Sequence, residues 1–184
     1  MTARHAVRRL AVLLAFVAGL AAPLAAGAAD REVIDARVKL ALEELYREMP
    51  GARELAADAK GLLVMPKVVK GGFIVGGAYG EGALRVNMPG RGYAGNAEYY
   101  SVAAASIGFQ AGLQETSHVL FFLTDRALEK FRASSGWEVG VDAEITLLEA
   151  GANVGVDSTS FENPVVAVVF GEDVPEDAFG LAER

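Results

Sequence analysis

The chain has 184 residues, no cysteine, two histidines and a formal net charge of −7 at neutral pH. Without cysteine it forms no disulfide, carries no cysteine for lipid attachment and lacks the usual zinc ligand set. An acidic chain is also a poor nucleic-acid binder, because neutralising phosphates supplies most of that affinity. We therefore expect no cofactor, no metal ion and no nucleic-acid partner.

The first 28 residues have the three regions of a secretory signal peptide. They begin with three basic residues, Arg4, Arg8 and Arg9. The apolar run 10–20 follows, and Ala26-Gly27-Ala28 forms a small-residue cleavage site. Because a membrane span needs about 20 apolar residues, cleavage is favoured over an uncleaved anchor. We predict that residues 1–28 are removed near Ala28 and that residues 29–184 are periplasmic or secreted.

Two helices are predicted at the start of the mature chain. Asp30 is a candidate cap for a helix that runs to about Glu48. Apolar residues at helical spacing indicate this helix, namely Ile34, Val38, Ala41, Leu42, Leu45 and Met49. Pro50-Gly51 ends this helix. A short second helix runs from Ala52 to Lys60 and ends at Gly61, a residue suited to a left-handed cap.

After Gly61 the sequence has the composition of β-structure. The predicted strands are Leu62–Met65, Phe73–Tyr79, Ala83–Val86, Tyr99–Gln110, Val119–Thr124, Trp137–Leu148, Gly151–Asp157 and Val165–Phe170. Met88-Pro89-Gly90-Arg91-Gly92 predicts a tight turn between antiparallel neighbours. A helix capped by Thr124 or Asp125 interrupts the strands, and residues 172–184 form an acidic tail.

Glycines within the predicted strands favour strong curvature, since glycine otherwise weakens a strand. We predict an α+β fold in one domain. Its N-terminal helices precede a strongly curved, mainly antiparallel β-sheet that is barrel-like and is interrupted by one helix.

Residues suited to catalysis are sparse. Outside the predicted signal peptide His118 is the remaining imidazole, and Ser106 lies in a strand-like run without a nucleophile elbow. The glycines from Gly71 to Gly82 lack the Lys-Ser/Thr pair of a phosphate-binding loop. We predict a protein without enzymatic activity, and a hydrolase that uses Ser106 or His118 is the alternative.

Basic residues concentrate between Arg53 and Arg91, a segment that contains six basic and three acidic residues. The candidate lipid-binding residues are Lys60, Lys67, Lys70, Arg85 and Arg91. Each Lys or Arg near an anionic membrane contributes about 1 kcal/mol. The alternative, in which these cations are scattered over several faces and pair with acids, stays open.

Three segments carry a resemblance to a known family. They are AKGLLVMPKVVKGGFIVGGAYGEGAL (Ala59–Leu84), SVAAASIGFQAGLQETSHVLFFLTDRALEKF (Ser101–Phe131) and VGVDAEITLLEAGANVG (Val139–Gly155). Together they resemble the SYLF domain family, a lipid-binding domain that is described as actin-binding in its fungal members. The resemblance covers about residues 52–170.

The resemblance implies a globular domain that associates with phospholipid and has no catalytic residues. Lys60, Lys67 and Lys70 occupy the positions of the family's lysine-glycine block, which implies that they contact lipid. The chain departs from the family after Phe170, where a glycine-led closing strand usually follows but is absent or replaced here.

Two functions follow as hypotheses. The first is a phospholipid-binding domain of the bacterial cell envelope, which docks on anionic head groups or holds an acyl chain. The alternative is a structural or protein-interaction module of the envelope that uses an open sheet edge. The expected partners are accordingly a phospholipid or membrane surface, and a protein partner or a second copy of the chain.

Overall fold

The structure is a computed structural model that describes residues 20–23, 28–72, 75–107, 113–134, 145–149 and 163–171. The helices in these ranges are α1 (Ala28–Glu48), α2 (Ala52–Asp58) and α3 (Asp125–Ala133). The strands are β1 (Leu20–Pro23), β2 (Gly61–Gly72), β3 (Val75–Val86), β4 (Glu98–Ile107), β5 (Leu113–Phe122), β6 (Ile145–Glu149) and β7 (Val165–Phe170).

The strands form one sheet in the order β1-β4-β3-β2-β5-β7-β6. Every neighbouring pair is antiparallel except β6 and β7, which are parallel. The predicted α+β class with a mainly antiparallel sheet is therefore confirmed. Within the described ranges β1 and β6 are outer strands that do not pair with each other, so the sheet there is open and barrel closure is not confirmed.

The sheet has a core on each face. Helices α1 and α2 cover one face, which we call the α1 face, and their stripe from Ile34 to Ala59 packs on Leu62, Val64, Phe121 and Val166. Helix α3 covers the other, the α3 face, where the Phe131 ring lies 5.1 Å from Phe122 and 4.9 Å from Tyr100 between centroids. Burial of each such side chain contributes about 2–3 kcal/mol.

Some helix ends differ from the prediction. Asp30 lies in the first turn of α1, which begins at Ala28, so it is not the cap. Helix α2 ends at Asp58 and Gly61 is the first residue of β2, so Gly61 is not a helix cap either. Thr124 does cap α3, because its Oγ1 accepts a hydrogen bond of 3.2 Å from the Ala127 N–H.

A β-bulge at Pro66 divides β2. The sequence predicted a strand ending at Met65, but β2 continues to Gly72. Val64 pairs with Ala83 whereas Lys67 pairs with Glu81, so β2 has one residue more than β3 between these pairs. Proline has no N–H to donate to a ladder and is tolerated at bulges. Because side chains alternate between the two faces of a strand, the extra residue moves every later side chain of β2 to the other face. Lys67 therefore lies on the α1 face and Lys70 on the α3 face.

The predicted turn between β3 and β4 is confirmed. Met88 and Gly92 form an antiparallel bridge, and Gly90 and Gly92 have φ of 74° and 58°. The loop is fixed to the C-terminal end of α2, because Asn87 Nδ2 donates to the carbonyl of Ala59, the residue after the helix, at 2.9 Å. The Tyr93 hydroxyl also donates to the Ala56 carbonyl at 2.5 Å.

Some predicted elements lie partly or wholly outside the described ranges. They are most of the segment 1–28, the start of the strand Phe73–Tyr79, the end of the strand Tyr99–Gln110, the start of the strand Trp137–Leu148, the strand Gly151–Asp157 and the tail 172–184. The parallel pairing of β6 with β7 was not predicted. In the part of the chain that is described, no helix has the length and apolar character needed to cross a bilayer.

Candidate functional site

An open groove of about 180 Å³ lies between α1 and the part of the α1 face beyond the bulge. We call it the α1 groove. It is lined by Ile34, Arg37, Pro66, Lys67, Val69, Tyr79, Gly80 and Glu81. Its lining therefore combines apolar side chains from helix and sheet with two cations and one acid.

Local structure explains why these side chains meet. Ile34 and Arg37 are three residues apart on α1, so they share one side of the helix. On the sheet, Lys67 pairs with Glu81 and Val69 pairs with Tyr79, which places both pairs on one face. The bulge at Pro66 is what turns this segment of β2 towards α1.

The charges of the α1 groove are only partly neutralised. Lys67 Nζ lies 2.5 Å from Glu115 Oε2, and the Tyr79 hydroxyl donates to Glu81 Oε1 at 2.7 Å. This hydrogen bond, together with burial, raises the pKa of Tyr79. Arg37 forms no ion pair with any described residue and is therefore the cation most accessible to an anionic ligand.

Exposed apolar side chains surround the groove. In the described ranges the large apolar residues with high exposure are Val33 (48%), Leu40 (64%) and Tyr79 (52%). Tyr79 lines the groove, and Val33 and Leu40 lie on the same flank of α1 as Arg37, at positions four before and three after it. Exposed apolar side chains and the Arg37 guanidinium thus lie close together on α1 and at the groove, which gives this surface an amphipathic character.

Of the five cations predicted from the sequence, Lys67 alone lines the α1 groove. Lys70 lies on the opposite face and is only 9% exposed, and this burial lowers its pKa. Lys60 and Arg91 are exposed, but they lie at the end of the sheet where β2 begins and β3 ends. The structure therefore does not bring the five cations onto one face.

Arg85 joins α1 to the sheet. Its Nη2 donates to Asp35 Oδ1 at 3.1 Å, while the Tyr99 hydroxyl donates to Asp35 Oδ2 at 3.0 Å. The Arg31 guanidinium lies 5.4 Å from the centre of the Tyr99 ring. Burial and then the bond to Asp35 raise the pKa of Tyr99. Asp35 thus accepts from two strands, which fixes the helix beside the groove.

We predict that Asp35→Ala lowers the free energy of unfolding by about 1 kcal/mol, a value reduced for the partial exposure of the pair. Arg85→Gln is expected to cost a similar amount and to leave vesicle binding unchanged. A double-mutant cycle followed by urea unfolding measures the coupling. Loss of vesicle binding at full stability in Arg85→Gln would show instead that Arg85 contacts lipid.

The geometry disfavours joint catalysis by Ser106 and His118. Ser106 is on β4 and His118 on β5, with β3 and β2 between them. Three strand spacings amount to about 14 Å, well beyond hydrogen-bond reach. His118 Nε2 instead lies 2.9 Å from Thr116 Oγ1. Burial lowers the pKa of His118 to about 3.

His118 predicts sensitivity to acid. The folded state holds the imidazole neutral, so between pH 6.5 and 3 the unfolded chain binds more protons and stability falls as pH falls. We expect a loss of about 2 kcal/mol between pH 7 and pH 5 from this residue. Chemical denaturation at both pH values measures it, with His118→Gln as the variant that removes the effect. An NMR titration with an ordinary histidine pKa would contradict this prediction.

These features define a helix-covered, open sheet whose amphipathic groove can bind a ligand. Residues 103–171 match the model of the Ysc84 family, described as "Las17-binding protein actin regulator". The match confirms the resemblance to the SYLF domain family over these residues. A search of curated proteins finds no match. The matched segment begins after Arg37, Lys67 and Tyr79, so the groove residues lie outside it.

Proposed function

We propose that the protein is a non-enzymatic phospholipid-binding domain of the bacterial cell envelope and that the α1 groove is its lipid site. Arg37 and Lys67 bind the anionic head group. Val69 and Tyr79 contact the adjoining part of the lipid, above the buried side chain of Ile34. The envelope location rests on the predicted signal peptide.

The observation that carries this proposal is the coincidence of exposed apolar surface with the cations of one groove. Exposed apolar side chains that lie together on a protein surface, in contrast to single scattered ones, often mark a binding face. Here Val33, Leu40 and Tyr79 lie beside Arg37, so a membrane that accepts the apolar side chains also meets a positive charge.

The size of the groove narrows the mode of binding. A pocket that encloses a drug-sized ligand holds about 300–1,000 Å³, and the α1 groove is smaller and open. We therefore propose docking at the membrane surface, with the head group and its nearest carbons in the groove, and not enclosure of a whole acyl chain.

The acids of the groove oppose an anionic ligand and must be displaced. Glu115 is paired with Lys67, and both side chains are almost half exposed. Separating an exposed pair costs about 0–1 kcal/mol. A phosphate that takes the place of the Glu115 carboxylate regains this amount at Lys67 and adds the attraction of Arg37.

The family description names an actin regulator, which gives a second candidate partner. The predicted export of this chain separates it from cytoplasmic filaments, so we favour lipid over actin.

Co-sedimentation with vesicles tests the proposal. We expect binding to vesicles that contain anionic phospholipid, weaker binding to neutral vesicles, and a decrease as salt screens the charges. Equal failure on anionic and neutral vesicles would reject docking at the membrane surface.

A further inference from the structure

Strand β1 pairs with the outer edge of β4, and it lies in the segment predicted to be removed. The register joins Leu20 to Ala103 and Pro23 to Tyr100. On its inner side β4 pairs with β3 along its whole length, from Glu98 to Ile107. Cleavage near Ala28 would therefore take away the strand that covers the outer edge of β4.

The edge of β4 lacks the usual protection against pairing. Exposed edge strands commonly carry lysine, proline or a bulge. Glu98 is the one charged residue of β4, and it is held by Arg132 of α3, whose Nη2 and Nε lie 2.5 Å and 3.1 Å from its carboxylate oxygens. Residues 99–107 contain no charged residue and no proline. Their backbone can therefore accept another antiparallel strand.

We propose that removal of β1 exposes the β4 edge and that β4 of a second copy of this chain then pairs with it in antiparallel fashion. A second copy fits this edge because antiparallel pairing of identical strands follows a two-fold axis, the commonest oligomer symmetry. Each copy carries the same acidic net charge, and the uncharged stretch 99–107 lets two copies meet without like charges opposite each other.

This inference shares the signal-peptide prediction with the proposed function but does not involve the α1 groove. Self-association is measured without lipid, and vesicle binding is measured separately. Failure of one is therefore distinguishable from failure of the other.

The test exports the full chain with its leader from a bacterial host and establishes the N-terminus by mass spectrometry. Ala26→Leu puts a large side chain into the small-residue cleavage site, prevents cleavage and so supplies the unprocessed form. The chain has no cysteine of its own, so Ala103→Cys, an exposed position on β4, gives a unique thiol for a short cross-linker. Tyr79→Cys is the matched control, because Tyr79 is exposed and lies directly opposite Ala103 on β3.

With the two-fold axis at Ala103, the centre of the uncharged stretch 99–107, the two copies of residue 103 are about 5 Å apart, and those of residue 79, one strand further in on each copy, are about 14 Å apart. We expect the processed protein to have twice the monomer mass by light scattering, Ala103→Cys to cross-link, Tyr79→Cys not to cross-link, and the unprocessed form to be monomeric. A monomeric processed protein, a dimeric unprocessed one or equal cross-linking of both cysteine variants would each overturn the inference, and so would a chain with the wild-type cleavage site that keeps its leader after export.

Discussion

Replacing Arg37 and Lys67 together by glutamine is expected to weaken binding to anionic vesicles about 30-fold. Each cation near an anionic surface contributes about 1 kcal/mol, and the loss of two contributions corresponds to that change in affinity. Both side chains are at least partly exposed, so the variant is expected to fold normally. Vesicle titrations at fixed salt provide the measurement, and urea unfolding checks that stability is retained.

The double variant Lys60→Gln, Arg91→Gln is the matched control. It changes the net charge by the same amount, but both residues lie at the other end of the sheet. We expect it to bind within a few-fold of the wild type. An equal loss in both double variants would mean that overall charge, and not the α1 groove, governs binding.

Glu115 offers a change in the opposite direction. Glu115→Gln removes the partner of Lys67 and reduces the negative charge beside the groove. This substitution is expected to strengthen anionic-vesicle binding several-fold, and a decrease would argue against Lys67 as a head-group ligand.

Gly82→Ala is expected to destabilise the fold by about 3 kcal/mol, because there is no room for a methyl group opposite the bulge. A Cβ at this position would overlap the carbonyl oxygen of Val64 and would lie 2.7 Å from Met65 Sδ. A backbone atom in the centre of a sheet moves only if the ladder is disturbed. We expect a fall in Tm of about 6–12 °C, measured by differential scanning calorimetry.

Gly90→Ala is the control that distinguishes the steric overlap at Gly82 from the general cost of replacing a glycine. Gly90 has a φ of 74° and no atom within 4 Å of an added Cβ. The substitution is therefore expected to cost about 1 kcal/mol, from backbone strain alone. Equal losses in the two alanine variants would contradict the close approach at Gly82.

Local patterns predicted the helices well. The apolar stripe from Ile34 to Met49 predicts α1, because a helix with one apolar face buries that face no matter which element it packs on. Thr124 gives the start of α3, because a capping hydroxyl acts within four residues. The two cap positions predicted at Asp30 and Gly61 are wrong, because α1 begins at Ala28 and Gly61 is the first residue of β2.

The face of each lysine could not be read from the sequence. Pro66 directly follows the predicted strand Leu62–Met65, and its actual effect, a bulge inside a central strand, depends on the pairing of β2 with both β3 and β5. That one extra residue decides that Lys67 lines the groove while Lys70 is buried behind the sheet. The strand glycines predict a strongly curved, barrel-like sheet, whereas in the structure Gly82 is required by the close approach of the β2 backbone.

The charge distribution of the sequence places the basic region between Arg53 and Arg91 and does not single out Arg37. A signal was nevertheless present in the sequence. Arg37 lies three residues after Ile34, at the border of the apolar stripe of α1, where a long cationic side chain reaches the edge of the surface that the helix covers. Its neighbours across the groove are far away in sequence, so only the fold shows the complete site.

A phospholipid with a photoactivatable group close to its head group tests the central claim most directly. After irradiation of vesicle-bound protein, peptide mass spectrometry should find the label on α1 around Ile34 and Arg37 and on the strand segments around Val69 and Tyr79, and the double variant Arg37→Gln, Lys67→Gln should remove it. Label confined to the α3 face or to the end of the sheet near Lys60, or unchanged in that variant, would contradict the assignment of the α1 groove as the lipid site.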